Sequence, residues 1–86
     1  MAADLPGGQA LTRRTLTDTT VATIAEILAA DPSTISTTAP FADLGLGSAQ
    51  LARLTARLED ISGLEVPVTA VYDHPDIEQL VDSLMR

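Results

Sequence analysis

The chain has 86 residues, enough for one domain at most. It holds no cysteine, which excludes disulfides and cysteine-ligated metals, and its only aromatics are one Phe and one Tyr, so its core must be built from Leu, Ile, Val and Ala. Twelve carboxylates stand against five arginines and no lysine. That balance argues against nucleic acid, because phosphates require a basic surface and single strands require aromatic stacking.

Residues 1–14 (MAADLPGGQALTRR) are rich in Gly, Pro and Ala and lack an amphipathic period. They read as a flexible tail ahead of a domain over residues 15–86. Leu16, Thr20, Ile24, Ile27 and Leu28 recur at helical spacing, and Val21 widens their stripe. This predicts a first helix over residues 17–30. Its threonines lower the intrinsic propensity, so packing must hold it. Pro32 stops it, because the residue before a proline is pushed out of the helical region.

Residues 33–46 read as a long loop in which Ile35, Phe41 and Leu44 pin the chain to the core. A second helix is predicted over residues 48–61, with Leu51, Leu54, Leu58 and Ile61 on its buried face. Gly63 suits the left-handed position after it. An apolar bridge, Leu64 to Val68, contains Pro67, which together with the shortness of the run argues against a strand there. Residues 69–72 allow about one helical turn before His74-Pro75. A last helix is predicted over residues 77–85, with Ile77, Leu80, Val81 and Leu84 buried. Asp76 and Gln79 form a variant capping box, with the Gln reaching back to the backbone. The sum is an all-α fold: a small four-helix bundle of three main helices plus a short third helix.

The segment Asp43-Leu44-Gly45-Leu46-Gly47-Ser48-Ala49-Gln50-Leu51 carries the chemistry. Two glycines at alternate positions lead straight into a helix, where free N–H groups and the helix dipole favour an anion. A phosphodiester on Ser48 would gain about 0.3–1 kcal/mol at an exposed helix start. On these residues alone Ser48 reads first as a plain helix cap, since serine is among the commonest N-caps. The segment is no dinucleotide fingerprint, because a preceding strand and a third glycine are missing. It is no hydrolase elbow either, which needs G-x-S-x-G. His74 stands alone between Asp73 and Pro75 and reads as a turn residue, because a metal site needs several ligands at defined spacing.

The stretch DLGLGSAQLARLTARLEDISGLEVPVTAVYDHPDIEQLVDSL resembles the acyl carrier proteins, in particular the carrier domains of polyketide synthases. Phe41 and Asp43-Leu44-Gly45 lead into the serine, and Leu51 follows it by three residues. A Leu-rich helix ends at Gly63, Val66-Pro67-Val68 follows, and Tyr72-Asp73-His74-Pro75 precedes the last helix. The resemblance implies that a phosphopantetheinyl transferase attaches a phosphopantetheine arm from coenzyme A to Ser48. The arm's thiol would then hold an acyl group as a thioester, in keeping with a chain that lacks cysteine. It further implies that Leu46, Gly47 and Ala49 flank the serine and that Val71 lies near the arm's exit. The implied partners are acyltransferase, ketosynthase or adenylating enzymes of a synthase, and the implied carrier is a monomeric domain, not an enzyme.

Two features depart from the family. Gly47 stands where the family usually has Asp, which peptidyl carriers and some atypical acyl carriers also lack; the change removes a negative charge beside the hydroxyl and bears on which transferase recognises the chain. The second helix sets Arg53 and Arg57 against Glu59 and Asp60, without the strongly acidic face of free-standing fatty-acid carriers. Two alternatives stay open: a peptidyl carrier loaded with an amino acid, and an unmodified helical interaction domain of the same fold. No apolar run reaches the length of a membrane span, and no basic-then-apolar leader opens the chain, so a cytoplasmic carrier is expected.

Overall fold

The computed structural model describes residues 12–86. The first helix, α1, spans Arg13–Leu28 and begins four residues ahead of the expected start. The cause is a reciprocal cap. Thr12 Oγ1 accepts from the Thr15 N–H at 3.1 Å, and Thr15 Oγ1 accepts from the Thr12 N–H at 3.0 Å. Arg13 and Arg14, read as tail from sequence, are therefore helical; residues 1–11 of that reading lie outside the described residues.

Leu16, Thr20 and Ile24 form the buried stripe as expected, joined by Thr23 and Ala25. The buried threonines cost little because their hydroxyls bond within the helix. Thr20 donates to Leu16 O at 2.7 Å and Thr23 to Thr19 O at 2.8 Å. The helix stops two residues earlier than Pro32 alone suggested. Ala29 adopts the left-handed region with φ 54°, and its N–H together with that of Ala30 closes onto Glu26 O and Ala25 O. Pro32 instead opens a single 3-10 turn, Pro32–Thr34, capped by Asp31. The Ser33 N–H, and after it the Ser33 hydroxyl, holds the Asp31 carboxyl below its ordinary pKa.

The next helix, α2, spans Ser48–Ser62, and α3 spans Val68–Asp73. Leu51, Leu54 and Leu58 of α2 are buried as expected, together with Thr55. Ile61 is not: it is 52% exposed. At that turn the chain reverses at Gly63, whose φ is 74°, and the returning Val66 fills the core in its place. Glu59 fastens the return by accepting the Val66 N–H at 2.8 Å.

The last helix, α4, spans Ile77–Leu84. Asp76 Oδ1 caps it by accepting the Gln79 N–H at 2.8 Å. The Gln79 side chain bonds the Asp76 carboxylate, also at 2.8 Å, rather than the backbone N–H expected from sequence. Ile77, Leu80 and Val81 are fully buried, and Leu84 is partly so.

Helix α1 packs against α2 and α4, and α3 packs against α2. An aliphatic core with Phe41 as its one ring lies between them. Among the described residues there is no strand, only an isolated bridge between Pro40 and Asp76. Arg57 of α2 pairs with Glu26 of α1 at 2.6 Å, and Arg13 of α1 pairs with Asp82 of α4 at 2.6 Å. Such exposed pairs are weakened by solvent and salt, so the core rather than the ion pairs holds the helices.

Leu54 is 0% exposed, so Leu54→Ala should cost about 2–5 kcal/mol in urea unfolding. Ile61→Ala should stay within about 0.5 kcal/mol of the parent, because that side chain stands mostly in solvent. Equal losses at both positions would refute this register. A pH titration tests the α1–α4 tie. The Arg13 guanidinium, helped by that of Arg86, lowers the Asp82 pKa below its ordinary value of 3.8. A lowered folded pKa gives stability that is complete above the unfolded value and lost as pH falls through the folded one. Parent should therefore be more stable than Asp82→Asn at neutral pH, and the difference should vanish in acid below pH 3.8. A gap that widens on acidification would contradict the pairing.

Candidate functional site

The site is built by the crossover between α1 and α2. Phe41 drives its ring into the core and donates its N–H to Pro75 O at 2.7 Å. Upstream, the Glu78 N–H bonds Thr37 O at 3.1 Å, and the Thr37 hydroxyl bonds Glu78 Oε2 at 3.0 Å. The long loop is thus sewn to the entry of α4, while Phe41 pins it to the core as expected, with Ile35 and Leu44 partly buried against it. A tight turn follows. Gly45 takes φ 96°, a region that favours glycine, and Leu46 returns its N–H to Phe41 O at 3.1 Å. Leu46 is buried, so the chain leaves the core at Gly47 and enters α2 at Ser48.

Ser48 is the first helical residue, one position past the cap, and it is exposed. The capping role considered for it falls elsewhere. Gly47 is the cap residue, no side chain caps the helix, and Gln50 reaches back so that its Oε1 accepts the Gly47 N–H at 3.0 Å. The Ser48 hydroxyl is left free of that duty. The first N–H groups of a helix lack intrahelical partners, and the positive end of the dipole lies there. Gly47 has φ −87° and ψ −178°, ordinary extended backbone, so its conformation does not demand glycine. An added Cβ would meet only the tip of Gln50, at 3.0 Å.

A cleft of about 310 Å³ opens beside Ser48 between α2, α3 and the crossover. Leu46, Leu51 and Val71 form its apolar wall, and Gly47, Ser48 and Tyr72 stand at its rim. The structure therefore brings together four of the five residues singled out from sequence: Leu46, Gly47, Ser48 and Val71. Ala49 lies on the exposed surface of α2 and does not line the cleft. Sequence reasoning missed Gln50 and Tyr72. The third position after a cap was a signal for Gln50; Tyr72, 57% exposed, was read only as part of the turn before the last helix.

A larger cleft, about 440 Å³, lies at the end of α4 by His74, Asp82 and Arg86. Its groups are spoken for: Asp82 pairs with Arg13 and Arg86, and the Ser83 hydroxyl donates to Leu80 O at 2.8 Å. His74 ends α3, its N–H bonded to Ala70 O at 2.9 Å, as the turn reading expected. Among the described residues no group of three metal-ligating side chains converges, and no helix is long and apolar enough to cross a membrane.

An exposed hydroxyl at a helix start, with free N–H groups behind it and an apolar cleft at its side, fits a phosphodiester-linked arm. Comparison with known proteins agrees. Residues 18–84 match the family model described as phosphopantetheine attachment site. The chain is 36% identical over 73 residues to the polyketide synthase GfsA of Streptomyces halstedii. It is 31% identical over 75 residues to an erythronolide synthase of Saccharopolyspora erythraea. These matches take in 84% and 86% of the chain but only 1% and 2% of those proteins. Among solved structures, a free-standing peptidyl carrier protein of Acinetobacter baumannii superposes with a TM-score of 0.79 and 26% identity, over 85% of this chain and 91% of that one. An A1-type ACP domain superposes with a TM-score of 0.78 and 26% identity, over 92% of this chain and 82% of that one. With the fold, the helix-start serine and the family match in agreement, the chain belongs to the phosphopantetheine attachment family of carrier domains.

Proposed function

We propose that Ser48 carries the phosphopantetheine arm and that the chain presents acyl groups to the enzymes of a polyketide synthase. The single observation that carries this reading is the placement of Ser48: exposed, first in α2, and freed from capping by Gln50. When bound, the arm supplies a thiol for thioester exchange, which the cysteine-free chain cannot supply itself. The chain's own residues position and shield. Buried Leu46 fixes the approach to Ser48. The helix-start N–H groups of α2 favour the phosphodiester charge. Val71 forms the wall along which the arm leaves the hydroxyl, and Gly47 and Ala49 keep the surround free of bulk.

In this reading the domain is a monomeric, cytoplasmic carrier and not an enzyme. Its partners are a phosphopantetheinyl transferase and the acyltransferase, ketosynthase or adenylating enzymes of the assembly. The polyketide assignment draws on the two synthase relatives, and the Tyr72-Asp73-His74-Pro75 turn leans the same way. The peptidyl carrier neighbour supports a second reading, in which the load is an amino acid.

Intact-mass measurement after incubation with coenzyme A and a broad-range phosphopantetheinyl transferase tests the reading. The parent should gain one phosphopantetheinyl group. Ser48→Ala should gain none while keeping the parent's thermal unfolding midpoint, because the hydroxyl supports no part of the fold. A parent that stays unmodified by several transferases would favour the unmodified interaction domain. Supplying the arm-bearing protein to acyl-loading and aminoacyl-loading enzymes separates the two carrier readings.

A further inference from the structure

We infer that Gln50 is a positioning residue for the modification of Ser48: its side-chain oxygen, by holding the Gly47 N–H, fixes the backbone turn from which the serine hydroxyl projects. The inference rests on Ser48 being the attachment point and goes beyond it, to the group that orders that point before any arm arrives.

The four α-helix starts among the described residues differ in what closes them. At α1, Thr12 and Thr15 close on each other with two bonds. At α4, Asp76 accepts the Gln79 N–H and also takes the Gln79 side-chain amide, both at 2.8 Å. At α3, Pro67 precedes the first helical residue, and its ring fixes φ without any side-chain bond. At α2 the cap is Gly47, which has no side chain to offer and more backbone freedom than any other residue. Its tie to a side chain is the 3.0 Å bond from its N–H to Gln50 Oε1.

That tie spans the serine. Leu46 is buried before it and Leu51 after it, while Gly47, Ser48 and Ala49 are exposed and Gln50 is only partly covered. No buried side chain therefore holds the stretch between the two leucines. What holds it is the first helical bond, from the Leu51 N–H to Gly47 O at 2.9 Å, and the return of Gln50 to the N–H of the same glycine. Together they pin both polar groups of Gly47. With the first bond alone, rotation about the glycine can unwind the opening turn, and Ser48 is the first residue of that turn. The start of α4 shows what would substitute for Gln50. There an aspartate at the cap holds the N–H three residues on, the half of the closure that Gly47 cannot make. An aspartate at position 47 should therefore restore order to α2 when Gln50 is gone, by a different bond.

The experiment compares parent, Gln50→Ala, Gln50→Glu and the double variant Gly47→Asp/Gln50→Ala by two readouts. One is amide hydrogen exchange at Leu51, whose N–H makes the first bond of α2. The other is the single-turnover rate of phosphopantetheinyl transfer from coenzyme A at saturating carrier, with KM measured alongside, using a transferase that modifies the parent. Losing the closure should lower Leu51 protection in Gln50→Ala by roughly threefold to tenfold. The transfer rate at saturation should fall by a similar factor while KM stays within about twofold of the parent. Gln50→Glu keeps an acceptor at the same place and should match the parent in both readouts. The double variant should regain both, although it still lacks the Gln50 side chain. Leu51 protection unchanged in Gln50→Ala would overturn the inference, as would protection lost with the transfer rate intact. A loss carried by KM that Gly47→Asp does not relieve would overturn it too, since Gln50 would then touch the enzyme itself. A parent that no transferase modifies, with Leu51 protection behaving as described, would instead overturn the reading of Ser48 on which the inference rests.

Discussion

Phe41 fixes a loop residue at once to the hydrophobic core, by a ring only 2% exposed, and to the approach to α4, by its N–H on Pro75 O. Burying such a side chain contributes about 1.5–3 kcal/mol before ordering entropy is subtracted. It acts together with buried Leu46, the partly buried Ile35 and Leu44, and the hydrogen bonds to the entry of α4 to order a segment whose own residues have little helical or strand propensity. Once Phe41 is placed, the turn through Gly45 returns Leu46 to the same core, and only Gly47 separates Leu46 from Ser48. The start of α2, and with it the direction of the serine, follows from a contact seven positions away.

The same economy explains the rest of the fold. A domain of this size buries a limited fraction of its surface, so each buried side chain matters more than in a larger protein. With a single core aromatic, α1, α2 and α4 must meet through branched aliphatic side chains. The ion pairs between helices lie at the surface, where solvent and salt weaken them. They orient the helices against one another at their edges but do not replace the core.

The helical spacing of Leu51, Leu54 and Leu58, or of Ile77, Leu80 and Val81, made the core faces legible because apolar periodicity reports burial directly. The misreadings arose where hydrogen bonds, not hydrophobicity, set the outcome. The Thr12–Thr15 cap extends α1 into a segment that composition marked as tail. Ile61 obeys the period of α2 but stands outside the core, because the return through Val66 is a tertiary event that no window on α2 contains. At the site, Ser48, Leu46, Gly47 and Val71 were legible mainly through family likeness, which encodes tertiary neighbours that spacing alone does not. Ala49, which the likeness also implied beside the serine, follows it directly in the chain, but a helix turns adjacent residues away from one another and it faces outward rather than into the cleft.

The register of the helix start is where fold and function meet most closely. Had Ser48 been the cap, its oxygen would accept a backbone N–H, and modification would remove an interaction that helps begin α2. Shifting the cap to Gly47 and assigning the reach-back to Gln50 separates the two demands. The helix is closed by one side chain, and the hydroxyl next to it is left to solvent. A prosthetic arm can then come to Ser48 without unmaking the element that presents it. Glycine at the cap costs little in helix stability relative to the best capping residues. What it changes is the surface: it leaves no side chain or charge immediately beside the hydroxyl.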